Sequence, residues 1–144
     1  MNLRLEYWSV APQAIAALTS VNTLLERSAV GAELINLIYL RVSQINGCTY
    51  CMDLHASDLR KAGEADARIE DLADWHDSAL FSDREKAALT WAEAVTRIEG
   101  TPPPDAAWAP LREHFDDKEV ADITYAAALM NAWNRIAIAF SHEP

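Results

Sequence analysis

The chain has 144 residues, of which 51% are hydrophobic and 24% charged, a composition typical of one globular domain rather than of a disordered protein. Its 22 acidic residues outnumber the 12 basic ones and give a formal net charge of −10, so nothing drives it electrostatically toward nucleic acid or an anionic membrane. We find no apolar stretch suited to a spanning helix or a signal peptide, and expect a single domain over residues 1–144 in the cytoplasm.

The first third of the chain predicts two helices. Pro12 suits the first position of a helix whose apolar residues recur at helical spacing until Gly31. A second helix over about residues 33–44 is apolar on several sides, which indicates that it is buried on several sides. Asn46-Gly47 is a turn signal that ends it.

The middle of the chain continues the helical pattern. A third helix is predicted over about residues 48–63, and a short acidic helix over about 65–76. Ser82 and Glu85 form a capping-box pattern, in which the hydroxyl and the carboxylate satisfy backbone amides reciprocally, and this pattern opens another helix.

The last part predicts a rigid connector and two helices. Residues 101–104 (TPPP) cannot continue a helix and are too few to separate domains. A brief helix is expected around 108–115 and a long one over about 117–140, whose second half is apolar on nearly all faces. The fold class is therefore all-α, with about six to seven helices, and we expect part of the last helix to pack on another subunit.

Cys48, Cys51 and His55 form the constellation that carries chemistry. On a helix they fall at i, i+3 and i+7 and share one face, to which Asp58 adds i+10. The cysteines occupy the first turn, where free amides and the helix dipole stabilise a thiolate, and His55 can accept its proton or pair with it. Cysteines three residues apart can also close a disulfide. The residues predict a redox dithiol.

Other interpretations of the same residues remain open. A structural zinc site uses a Cys-x-x-Cys pair but needs four ligands, and the chain has no second cysteine pair. The two cysteines could also be buried and inert, and a lone His55 would by default be a core histidine. We expect no bound metal.

Residues 40–55 (LRVSQINGCTYCMDLH) resemble the core motif of the AhpD-like alkylhydroperoxidases of the carboxymuconolactone decarboxylase superfamily. Residues 62–64, 83–85 and 131–135 are also similar to that family. The resemblance implies an AhpD-like helical bundle, a homo-oligomer that is trimeric or hexameric, and a thiol peroxidase that reduces hydroperoxides to alcohol and water. It further implies that Cys51 attacks the peroxide, that Cys48 resolves the product, and that His55 is the base beside Cys51.

The chain departs from the family motif at two positions. Better-known members place a proton-relay glutamate twelve residues before the first cysteine, where this chain has Asn36. Glu33, about one turn earlier, would need a different geometry, and the Asn36 amide could only orient a water or His55. Some members carry another histidine where this chain has Tyr50. We therefore treat Asn36, Glu33, Tyr50 and Asp58 as possible supporting residues.

The sequence thus predicts a peroxidase acting on organic hydroperoxides or hydrogen peroxide through a dithiol/disulfide cycle. It needs no bound cofactor, but it does need an external thiol reductant, for which the family suggests a lipoyl or thioredoxin-like donor. A redox-sensing or disulfide-reductase module of the same fold is the alternative. A lactone decarboxylase is a third possibility, against which the dithiol argues.

Three further groups of residues are notable. Trp91, Trp133 and Tyr125 are predicted to lie in the core or at an interface rather than in a cofactor site. Arg41 interrupts an apolar helix, so it should pair with a carboxylate or carbonyls, or else help to hold the thiolate. His114 and His142 lie near helix ends, with no partner that the sequence identifies.

Overall fold

A computed structural model describes residues 2–144. This part of the chain folds into eight α-helices and one 3₁₀ helix without a strand, which confirms the all-α prediction. The elements are α1 (Tyr7–Val10), α2 (Pro12–Glu26), α3 (Ala32–Asn46), α4 (Thr49–Lys61), α5 (Asp66–Asp71), the 3₁₀ helix (Leu72–Asp77), α6 (Asp83–Thr96), α7 (Asp105–His114) and α8 (Asp117–Ala139).

Helix α3 is the centre of the fold. It packs against α2, α4, α6 and α8, and its side chains are buried on several sides, as its sequence predicts. Because α4 packs against both α3 and α8, the dithiol segment rests on the most buried part of the protein. The buried residues of α3 are Leu34, Ile35, Leu37, Ile38, Tyr39, Leu40, Val42 and Ser43.

The helix ends largely follow the sequence signals. Pro12 occupies the start of α2, and Ser82 and Glu85 form both hydrogen bonds of the predicted capping box. Gly47 ends α3 with a φ of 70°, a left-handed conformation that glycine adopts without a steric penalty. The conformation of the turn before the cysteines therefore depends on a glycine at position 47.

Three elements differ from the sequence prediction. Helix α1 was not predicted, because four residues are too few to show helical periodicity. The acidic segment divides into α5 and the 3₁₀ helix, within which Asp74 has non-helical dihedrals (φ −111°, ψ 25°). Helix α7 begins at Asp105 rather than near Trp108, because Pro104 in an extended conformation precedes the first turn.

Glu93 connects three elements in the interior. Its Oε1 accepts from Nε of Arg41 at 2.7 Å and from the indole N–H of Trp75 at 2.9 Å. Burial acts to raise the pKa of Glu93, but these two hydrogen bonds and the charges of Arg41 and His76 together outweigh it and lower that pKa. Arg41 thus pairs with a carboxylate, the first of its two predicted roles.

The surface retains apolar side chains on α2 and α8. Leu24 is 70% exposed, Tyr125 64% and Ile138 47%. Trp91 and Trp133, predicted to be core or interface, are partly buried and pack against the core. No helix within residues 2–144 combines the length and the apolar character that crossing a membrane requires.

Candidate active site

Cys48 and Cys51 form a disulfide at the start of α4, with their Cα atoms 5.2 Å apart. Cys48 is the N-cap residue rather than part of the helix, and its Sγ accepts the backbone N–H of Cys51 at 3.3 Å. Both side chains are buried. The predicted placement of a dithiol at a helix N-terminus, where amides and dipole favour a thiolate, describes this geometry.

A set of side-chain amides holds the turn that precedes the dithiol. Nδ2 of Asn46 donates to Oδ1 of Asn131 at 2.9 Å and to Oδ1 of Asn134 at 3.0 Å. Nδ2 of Asn134 in turn donates to Oγ of Ser43 at 3.0 Å. These bonds tie the end of α3 to α8, whose Ala137 packs against both cysteines. The asparagines of residues 131–135 therefore support the dithiol from behind.

His55 lies on the same face of α4 and is 7% exposed. Burial lowers its pKa to about 4, an effect that Asp58 only partly opposes, since its carboxylate oxygen is 4.0 Å from Nδ1. Nδ1 has no hydrogen-bond partner among the described residues, and the ring lies 5.2 Å from that of Tyr39, centroid to centroid. His55 is therefore neutral at pH 7 in the disulfide form and free to accept a proton.

Cys51 and His55 open into a cavity of about 580 Å³ between α1, α2, α4 and α8. Cys51 lines this cavity in the described structure, whereas Cys48 lies behind Cys51 and does not. Most of the wall is apolar. Its apolar side chains include Trp8, Ile15, Leu54, Met130, Trp133 and Ala137.

The wall of the cavity carries a second imidazole, that of His142. Its ring stacks on Tyr50, with centroids 3.7 Å apart, and its Nδ1 is 2.7 Å from the hydroxyl of Tyr7. Its backbone N–H donates to the carbonyl of Ala137 at 2.9 Å. Sequence reasoning found no partner for His142, because 135 residues separate it from Tyr7 and no local pattern reports such a contact.

The four possible supporting residues fall into two groups. Tyr50 and Asp58 line the cavity with Cys51 and His55. Asn36 instead donates its amide N–H to the carbonyl of Ala32 at 2.8 Å, and Oε1 of Glu33 lies 3.4 Å from Nη2 of Arg68. Neither Asn36 nor Glu33 lines the cavity, so the structure does not bring them to the dithiol.

The cavity contains a carboxylate that the sequence did not single out. Glu26, at the end of α2, lines the wall together with Asn22, whose Oδ1 accepts the indole N–H of Trp133 at 2.9 Å. Burial, and after it the charge of Glu26, raises the pKa of Tyr39, so its phenol stays protonated. Glu26 and Asn22 add polar groups to a wall that is mostly apolar.

No group of three or more His, Cys, Asp or Glu side chains is arranged to hold a metal ion within residues 2–144. The chemistry that the arrangement itself supports is thiol redox chemistry. One sulfur faces a cavity beside a neutral imidazole, and a second sulfur stands behind it within bonding distance.

Comparison with known proteins gives consistent matches. The model of the carboxymuconolactone decarboxylase family matches residues 12–94. The uncharacterized protein YdfG of Bacillus subtilis is 36% identical over 143 residues, which cover 99% of this chain and 97% of that protein.

Two solved structures share the fold. A protein of unknown function from Agrobacterium tumefaciens, described as a candidate antioxidant defence protein AhpD, superposes with a TM-score of 0.93 at 37% identity and 99% coverage of both chains. A peroxidase-related protein from Ralstonia eutropha with an alkylhydroperoxidase AhpD core has a TM-score of 0.83, with 95% of this chain and 73% of that chain covered. At 24% identity, the second match concerns the fold alone.

Proposed function

The chain belongs to the carboxymuconolactone decarboxylase family and has the AhpD-like fold, and on that premise we propose that it is a thiol-dependent peroxidase. Its reaction reduces a hydroperoxide through a Cys48–Cys51 dithiol/disulfide cycle. One observation carries the proposal: Cys51 and His55 face an apolar cavity, while Cys48 lies behind Cys51 within disulfide distance.

The first step oxidises Cys51. His55 accepts the thiol proton, and the Cys51 thiolate attacks the terminal oxygen of the hydroperoxide. A sulfur–oxygen bond forms and the O–O bond breaks, so that sulfur becomes a sulfenic acid. The electron pair of the broken bond leaves on the alkoxide oxygen, which takes the proton from His55 and departs as an alcohol.

The second step closes the disulfide. The sulfur of Cys48 attacks that of Cys51, and the sulfenic hydroxyl leaves with the Cys48 proton as water. Each turnover thus leaves the disulfide, which an external dithiol of lipoyl or thioredoxin-like type must reduce. The cycle uses no bound cofactor.

The walls of the cavity favour an organic hydroperoxide over hydrogen peroxide. Transfer of an alkyl chain from water to apolar side chains contributes about 0.8 kcal/mol per CH₂ group. Side chains such as Ile15, Leu54 and Met130 offer such a surface within about 580 Å³. Hydrogen peroxide has no apolar part to gain from it.

We also propose a homo-oligomer, trimeric or hexameric, that works in the cytoplasm. The exposed apolar side chains Leu24, Tyr125 and Ile138 support an assembly, since another subunit would cover them. A reducing compartment supports the location, because the cycle needs a supply of dithiols. The net charge of −10 argues against nucleic acid or membranes as partners.

Peroxide consumption by three forms of the protein tests the proposal. The reduced wild type, Cys48→Ser and Cys51→Ser are mixed with cumene hydroperoxide, first without reductant and then with dihydrolipoamide. We expect the wild type to turn over, Cys51→Ser to be inactive, and Cys48→Ser to consume about one equivalent and stop without reductant. Turnover by Cys51→Ser would contradict the proposal.

The displacement of Asn36 and Glu33 from the cavity favours one alternative, a redox-sensing or disulfide-reductase module with little peroxidase turnover. In that case the wild type forms the Cys48–Cys51 disulfide with an oxidant but consumes peroxide no faster than Cys51→Ser. A change of oligomeric state on oxidation, seen by size-exclusion chromatography, would then identify the sensor.

A further inference from the structure

His142 is held in one orientation by three separate contacts. Its backbone N–H donates to the carbonyl of Ala137, its ring stacks on Tyr50 with 18° between the planes, and its Nδ1 meets the Tyr7 hydroxyl at 2.7 Å. A side chain on a tail beyond α8 would otherwise be free to rotate. The contacts place its ring in the wall of the cavity.

This ring is close to the dithiol. Tyr50, on which it stacks, lies between the two cysteines in the sequence and packs against them. Ala137, which accepts its backbone N–H, is buried against the same two cysteines. A molecule in the cavity that reaches Cys51 therefore has two imidazoles in the surrounding wall, His55 on α4 and His142 on the tail.

The Tyr7 contact involves Nδ1 of His142, to which the tyrosine hydroxyl donates when the imidazole carries its proton on Nε2. Burial, with a further contribution from Tyr50, raises the pKa of Tyr7, so its hydroxyl stays protonated at neutral pH and can donate to Nδ1. Burial also lowers the pKa of His142, which keeps the imidazole neutral. A neutral ring that accepts at Nδ1 has its proton on Nε2.

We propose that His142 is a catalytic residue of peroxide reduction, whose Nε2–H donates a hydrogen bond to the leaving oxygen of the hydroperoxide, and that Tyr7 is the positioning residue that fixes this tautomer. The assignment rests on the proposed function. As Cys51 sulfur bonds to the terminal oxygen and the O–O bond breaks, negative charge develops on the leaving oxygen. His142 stabilises that charge and keeps its proton, since the proton that completes the alcohol comes from His55.

A neutral imidazole suits this role. It donates a hydrogen bond at neutral pH without first taking up a proton, and its donor is already aimed when charge develops. The cavity is mostly apolar, so a donor aimed at that charge acts in a medium of low dielectric constant. Removing one such preorganised donor costs on the order of 10²–10³ in rate in other enzymes. Tyr50, by stacking on the ring, helps to keep the donor in place.

The test compares leaving groups, because a hydrogen bond to the leaving oxygen matters most when that oxygen is a poor leaving group. Reduced protein is mixed with tert-butyl hydroperoxide, which releases an alkoxide, or with 3-chloroperoxybenzoic acid, which releases a stable carboxylate. The single-turnover rate of Cys51 oxidation is measured by quenching and thiol titration. The variants are His142→Leu, which removes the donor, His142→Gln, which keeps an N–H donor, and Tyr7→Phe. His114→Leu, an exposed histidine, is the matched control.

We expect His142→Leu to lose on the order of 10²-fold with tert-butyl hydroperoxide and less than about threefold with the peracid. His142→Gln should recover part of the rate lost with tert-butyl hydroperoxide. Tyr7→Phe should lower the rate with each oxidant by a smaller factor than His142→Leu does, and again more with tert-butyl hydroperoxide than with the peracid. The control should match the wild type with both oxidants. Circular dichroism identifies any variant that fails to fold. If His142→Leu fails to fold, Tyr7→Phe, which removes a single oxygen, still decides the test.

Three outcomes overturn the inference. An equal loss by His142→Leu with both oxidants shows that the tail only closes the cavity, and no loss shows that it has no role. In both cases wild-type turnover remains and the proposed function stands. If instead the wild type reacts with neither oxidant while its thiols react with iodoacetamide, the proposed function itself fails, and the role of His142 fails with it.

Discussion

The pKa of His55 should depend on the redox state of the cysteines. In the disulfide form both sulfur atoms are uncharged, and burial lowers this pKa to about 4. Reduction allows Cys51 to ionise, which places a negative charge one helical turn from the imidazole. We therefore expect the His55 pKa to rise when the protein is reduced.

The size of the rise follows from the helix geometry. Side chains at i and i+4 are about 5–6 Å apart, and opposite unit charges at that distance attract by about 3 kcal/mol at an effective dielectric constant of about 20. That energy corresponds to roughly two pKa units, so the pKa of His55 should be about 6 beside an ionised Cys51, against about 4 in the disulfide form. The rise requires a thiolate at the pH at which His55 titrates, so it also reports that the helix N-terminus holds the pKa of the reduced Cys51 thiol below about 6.

Nuclear magnetic resonance measures this shift directly. The chain contains 4 histidines, so the imidazole resonances can be titrated individually in the oxidised and reduced protein, and His55→Gln identifies the relevant one. Reduced Cys51→Ser is the control, since it lacks the charge and should keep the His55 pKa low. The reasoning is wrong if the His55 pKa is the same in both redox states, or if Cys51→Ser raises it as much as reduction does.

Three further outcomes are expected from the same contacts. The pKa of His55 is about 6.5 in the unfolded chain and about 4 in the folded, oxidised protein, so the free energy of unfolding should fall by about 3 kcal/mol as the pH falls from 6.5 toward 4. In a series of urea-unfolding curves, His55→Gln should remove this pH dependence. Glu93→Ala leaves Arg41 buried without its partner and should cost about 3–5 kcal/mol in urea unfolding, and a loss below about 1 kcal/mol would contradict the buried pair. Gly47→Ala places a Cβ at a φ of 70° and should cost about 1–2 kcal/mol by the same measurement, whereas an unchanged midpoint would refute a strained turn.

The dithiol and its base could be predicted from the sequence because local geometry determines them. Cys48, Cys51 and His55 are separated by three and four residues, and a helix alone places them on one face. The cavity shared by Cys51 and His55 follows from α2 and α8 packing around that face.

Residues whose position depends on distant contacts could not be predicted. His142 reaches the cavity because the tail after α8 meets Tyr7 of α1, at the other end of the chain. Asn36 and Glu33 lie on the right helix, but motif spacing does not show that Asn36 bonds to Ala32 and Glu33 pairs with Arg68. Arg41, in contrast, was predicted to need a partner because its charge is buried, and the fold was required to show that this partner is the carboxylate of Glu93 rather than carbonyls or the thiolate.

The amides behind the dithiol carry no charge at any pH at which the protein is folded. Asn46, Asn134 and Ser43 exchange hydrogen bonds between neutral groups. Oδ1 of Asn131 accepts from Asn46 and from the guanidinium of Arg135, which stays protonated throughout, so acid and base leave this scaffold as it is. The position of the dithiol should hence be the same across a titration. A bend in a plot of log rate against pH then reports the ionisation of a group in the cavity rather than a movement of the turn that carries the dithiol. The pH profile of the rate can therefore be assigned to the reacting groups.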